Sequence, residues 1–192
     1  MTFCPDDDIR QLLQLIDSDD VQGLAELDSA IDRFPDDARL YFLRGSLLAA
    51  TDRKVEALQL MQHAVALDPE FHIARFQLGF FALSSGDAEA ARDHWNRLES
   101  LPKNHYLRLF VTGLHHLIAD EFTATIATLR QGISLNRDNP PLNHDMQLII
   151  DKCADLMAMA EPQAAPAQAA GGETELSSTS LLINQLAKPK QP

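Results

Sequence analysis

The stretch ARLYFLRGSLLAATDRKVEALQLMQHAVALDPEF, residues 38–71, decides the fold. It reads as two helices, near 38–51 and 54–67, closed by Leu67-Asp68-Pro69. A proline just past a helix ends it and directs the chain into the next element. The pattern then recurs along the chain. Gly45, Gly79 and Gly113 stand at a constant step of 34 residues, as do Phe42, Phe76 and Phe110. The bulky set Met61, Trp95 and Leu129 and the small or short set Ala57, Ala91 and Thr125 keep the same step. A small residue where two helices cross lets their backbones approach, and a larger one would prop them apart.

One step of 34 back from Pro69, Ala64 and Met61 reaches Pro35, Ala30 and Leu27, so the N-terminal segment reads as a degenerate copy, with Gln11 where the glycine would stand. Ile9, Leu12, Leu13 and Ile16 follow helical spacing, as do Val21, Leu24, Leu27 and Ile31 beyond the turn Asp17-Ser18-Asp19-Asp20. Strand-like alternation is absent from the pattern. The spacing predicts eight antiparallel helices near 6–17, 21–34, 38–51, 54–67, 72–84, 88–100, 104–119 and 122–135. A ninth is expected over 140–160, with Asn139 as its cap, Pro140 in its first turn, and Leu142, Met146, Ile149, Cys153 and Leu156 in one apolar stripe. From Glu161 the composition turns to Ala, Pro, Gln and Gly, the signature of a disordered linker. Residues 178–187 within the 161–192 tail then carry four large aliphatics, Leu181, Leu182, Ile183 and Leu186, which read as a linear docking motif.

Residues 38–71, with Tyr41, Gly45, Glu56-Ala57-Leu58, Ala64-Val65 and the closing Asp68-Pro69, closely resemble a tetratricopeptide repeat (TPR). Residues 72–105 match through Leu78-Gly79, Gly86-Asp87, Ala91 and Trp95, but carry Leu98 where that family prefers a small residue and place Pro102 one residue early. Residues 106–139 keep Gly113, Leu129 and Gly132, with Thr125 in place of the usual alanine. The resemblance implies an all-α, right-handed helix-turn-helix solenoid: a degenerate pair over 1–37, three repeats over 38–139, and 140–160 as a capping helix that covers the last repeat.

The charge balance narrows the partners. Sixteen Lys and Arg against 28 Asp and Glu leave a formal net charge of −12. With no basic stripe to displace phosphate counterions, a nucleic-acid partner is not expected, nor is an anionic membrane surface. No apolar run reaches the length that crosses a bilayer, and Met1 to Asp8 has no basic or apolar stretch of a leader peptide. Cys4 and Cys153, without metal or disulfide spacing, read as free thiols in a reducing compartment, and a cytoplasmic protein is expected. No phosphate loop, nucleophile elbow or metal-spaced cluster is present, and His115-His116, being adjacent on a helix, cannot both face one ion. Neither catalysis nor a cofactor or metal is expected.

In TPR proteins the first helix of each pair lines a concave groove. The resemblance places Arg39, Phe42, Ser46, Ile73, Phe76, Phe80, Leu83, Leu107, Phe110, Leu114 and Leu117 in it, with Tyr41, Leu48, Leu78 and Leu109 facing neighbouring repeats. The cationic clamp by which some members hold chaperone C-termini has no counterpart, since Phe42, Ser46, Gln77, Leu107 and Val111 occupy its places. The expected function is binding of an apolar peptide or helix of another protein, as an adaptor or chaperone of the kind found in type III secretion. The alternative is a structural subunit whose groove is filled by its own tail or by a second copy.

Overall fold

The computed structural model describes residues 3–160, and among them the chain is all-α: nine α-helices and one 3-10 turn, with no strand. They fall into two compact units, with the boundary after Phe81.

The first unit holds α1 (Asp6–Ser18), α2 (Asp20–Arg33), α3 (Ala38–Ala50), α4 (Lys54–Leu67) and the start of α5 (His72–Ser84), with α1 packing on α2, α2 on α3 and α3 on α4. Leu12, Leu27, Ala30, Leu40 and Leu47 form one core cluster, against which Ile9, Ile16, Leu24 and Ile31 pack half-buried. Leu13 and Val21, expected inward, are exposed at 42% and 79%. They flank a turn of a single residue, Asp19, whose carboxylate accepts from the Val21 and Gln22 amides at 3.0 Å. Ala38, Ala64 and Ala74 form a second cluster with Tyr41, Phe42, Val65, Leu67 and Phe71 packed against it.

The second unit holds the end of α5, α6 (Ala88–Trp95), a 3-10 turn (Asn96–Ser100), α7 (Tyr106–Ile118), α8 (Phe122–Leu135) and α9 (Pro140–Ala160). The helix expected over 88–100 is therefore shorter, and its last turn is wound more tightly. The change coincides with Leu98, which stands in the 34-residue register of Ala64 and Gly132 and is fully buried. Leu101, preceding Pro102, is extended at φ −63°, ψ 154°, as the clash with a proline ring requires. The α9 stripe is as expected: Leu142, Met146, Ile149 and Cys153 are buried, Leu156 is half-buried, and the Asn139 carboxamide accepts from the Leu142 amide at 3.2 Å.

The 34-residue step is written into the backbone as well as the sequence. Asp52, Gly86 and Asp120 have φ of 63°, 84° and 57°, the three left-handed residues among those described. Each closes a helix in the same way. The amides of Asp52, Gly86 and Asp120 donate to Ala49, Leu83 and Leu117, and those of the next residues, Arg53, Asp87 and Glu121, reach back to Leu48, Ala82 and His116. That pair of bonds is the Schellman motif, which satisfies the carbonyls a helix C-terminus would leave open. The α1–α2 turn lacks it, which is how the first pair differs from the others.

Small residues set the spacing within the hairpins. A Cβ added at Gly113 would stand 2.6 Å from Leu129 Cδ2, so α7 and α8 touch through the glycine. At Gly132 an added Cβ would meet the Phe110 ring at 2.5 Å. Alanine there has the better helix propensity, by about 1 kcal/mol, yet the ring occupies its space. We therefore expect Gly132→Ala to destabilise the chain by about 1–3 kcal/mol through overpacking. Phe110→Leu should relieve much of that cost, and urea unfolding of both single variants and the double variant measures the coupling.

Candidate functional site

The eleven residues expected to line one apolar groove do not form an open surface. Phe76, Leu83, Leu107, Phe110, Leu114 and Leu117 are all 3% exposed or less. These six are core residues, a correction with a visible cause at Phe110. Its ring turns toward α8 into the space left by Gly132 and meets Tyr106 edge-on at 5.8 Å between centroids. Deleting such a ring costs stability by about 3–5 kcal/mol, whatever it does to a partner.

Arg39 is also reassigned. Its guanidinium is spent inside the first unit, donating to Asp37 from Nε and Nη2 at 3.0 and 2.7 Å, to Asp6 at 2.7 Å and to the Cys4 carbonyl at 2.6 Å. Asp37, only 1% exposed, also accepts from the amides of Cys4 and Arg39, each at 3.0 Å. The pair clips residues 4–6 onto the start of α3. Burial alone would raise the Asp37 pKa, but the bonds from Arg39 and the Cys4 amide outweigh it and hold it below the ordinary carboxylate value. The same contacts hold Arg39 protonated.

What is left of the expected set is Phe42, Ser46, Ile73 and Phe80, all half-buried and all in the first unit, on α3 and α5. Phe42 meets Phe71 edge-to-face at 5.2 Å, and Phe80 stacks on the buried Phe76 at 6.1 Å. Ala38 and Leu67, which belong to the Phe42 cluster, also line a cavity of about 740 Å³ with Phe3, Cys4, Pro5, Asp6, Asp36, Asp37, Arg39 and Asp68. Sequence reading missed this cavity. Four of its ten lining residues are residues 3–6, held there by bonds from Arg39 and by the Cys4 amide on Asp37, all made across 33 to 35 residues of chain. The tail residues Leu181, Leu182, Ile183 and Leu186 lie outside the described residues.

Among the described residues no group of three or more His, Cys, Asp or Glu is placed to hold a metal, and no helix is long and apolar enough to cross a membrane. Cys4 and Cys153 are free and buried, and burial pushes the Cys153 thiol up to about 11. His116 lies beside the Glu121 carboxylate at the α7–α8 turn. His115 packs on the Trp95 ring at 5.6 Å, with its Nε2 buried and unpartnered. Burial first, then the Arg92 guanidinium, pulls its imidazole below the ordinary histidine range. His116 works in the same direction and Glu99 against it. No protein-family model matches this chain, and no curated protein matches it.

Two outcomes follow from these groups. Asp37→Ala should cost about 2–3 kcal/mol, less than a fully buried pair because Arg39 is partly exposed. The stability that Asp37 contributes is full above about pH 4, the ordinary aspartate value, and is lost as pH falls through its lower folded value. Urea unfolding of wild type and variant across that range checks both. His115 acts in a different window. Its folded pKa is depressed, so its contribution is full above about pH 6.5 and is lost as pH falls from there through the folded value. Melting temperatures between about pH 7 and pH 5 should decline less steeply in His115→Leu than in wild type.

Proposed function

We propose that the chain is a non-enzymatic protein-interaction module of the TPR kind, an adaptor or chaperone that holds a segment of another polypeptide on the α3/α5 face of its first unit. The observation that carries this reading is the split within the expected groove set. Six members are core, while Phe42, Ser46, Ile73 and Phe80 stay half-buried, and Phe42 packs in one cluster with Ala38 and Leu67, which line a cavity of about 740 Å³. Water-facing aromatic surface costs roughly 25 cal/mol for each Å² that a partner could bury, so such a face favours a polypeptide that covers it. The three identical turns at a 34-residue step support the TPR reading, because a repeat family is defined by one supersecondary unit recurring in register. Two free thiols fit a reducing compartment such as the cytoplasm. The net charge of −12 disfavours nucleic acid as the partner.

Affinity capture from native cell extract, read by mass spectrometry, tests the reading with three baits. They are the intact chain, a Phe42→Ser/Phe80→Ser double variant checked for retained helicity, and a truncation ending at Ala160. A protein recovered with the intact chain and the truncation, and lost with the double variant, is the expected result. Recovery with all three would move the contact off this face, and loss with the truncation alone would move it to residues 161–192.

A further inference from the structure

The cavity at the start of α3 and the end of α4 has a charge pattern that selects its occupant. Four carboxylates, from Asp6, Asp36, Asp37 and Asp68, line it against one guanidinium, that of Arg39. Arg39 is already committed to Asp37 and Asp6. Asp36 and Asp68 are both exposed, and no cation pairs with either among the described residues. The rest of the wall is apolar: Phe3, which is 57% exposed, with Pro5, Ala38 and Leu67. An acidic ligand would be repelled by Asp36 and Asp68. A purely apolar one would cover Phe3 and Leu67 but strand two carboxylates against its surface, which is the penalty that makes buried unpaired charge selective.

We propose that this cavity takes a basic, aliphatic segment of a partner polypeptide, in which a Lys or Arg pairs with Asp36 and Asp68 while an aliphatic neighbour packs on Phe3 and Leu67. The inference rests on the polypeptide-binding reading above and names the partner's chemistry. The excess of acidic residues over the whole chain acts in the same direction, since a field of one sign raises the encounter rate of oppositely charged segments and is screened by salt.

The experiment uses the full chain and a fluorescein-labelled peptide of alternating leucine and lysine, with a twin in which glutamates replace the lysines. Fluorescence polarisation should show saturable binding of the lysine peptide, weakened by salt, with the glutamate twin bound about tenfold more weakly or not at all. Asp36→Lys/Asp68→Lys changes exposed positions only, and should lower the affinity for the lysine peptide about tenfold and reverse the order of the twins. Phe3→Ser should weaken the lysine peptide without changing that order. Equal binding of the twins, or indifference to the charge reversal, overturns the proposal. Absence of lysine-peptide binding, beside a captured partner that depends on Phe42 and Phe80, overturns the basic-segment inference and leaves the polypeptide-binding reading standing. Absence of both removes the two together.

Discussion

Contact between paired helices at a fixed step of the chain is the constraint on which the other features depend. Leu27, Met61, Trp95 and Leu129 stand 34 residues apart and are 0–1% exposed, each on the second helix of its pair. Such large side chains bury fully only if the facing helix comes close, and that closeness needs small residues at the crossing. Gly113 supplies it opposite Leu129, and Ala57, Ala91 and Thr125, all fully buried, keep the neighbouring positions narrow. Each such side chain is worth about 1.5–3 kcal/mol in burial. The repeated left-handed turn at Asp52, Gly86 and Asp120 serves the same end, because it closes a helix at the same place in each 34-residue step with the same pair of hydrogen bonds.

The departures from the pattern are where local packing overrides the repeat. Leu98, in the register of Ala64 and Gly132, lies buried in a tight 3-10 turn that stands in place of the last turn of a helix. Gly132 does the opposite. It leaves room that the Phe110 ring fills, and so removes from the surface an aromatic that the repeat register had assigned to a groove.

The N-terminal clip shows a second kind of control. Asp37 is a helix cap by position, and it does accept from the Arg39 amide, but its buried carboxylate also holds the Arg39 side chain and the Cys4 amide. That arrangement turns Arg39 from an expected groove cation into a fastener for residues 4–6. It also leaves Asp36 and Asp68 as the unpaired charges of the cavity mouth. The electrostatic character of the candidate site follows from which carboxylates the arginine has neutralised, not from the number of acidic residues nearby.

Helix number and most helix limits and inward-facing stripes were determined by local sequence, because periodicity, caps and prolines act over a few residues and are legible without knowing what lies opposite; the early end of α6 and the exposure of Leu13 and Val21 are the exceptions. The α9 helix shows this: the Asn139 cap, Pro140 and the stripe from Leu142 to Cys153 behave as their spacing predicts. Exposure of the candidate site was decided only in three dimensions. Whether Phe110 faces a partner or Gly132, whether Arg39 reaches a ligand or Asp37, and whether residues 3–6 line a cavity all depend on atoms many residues away. A 34-residue register states which helix face a side chain occupies, and the volume and charge of its tertiary neighbours determine whether that face stays open.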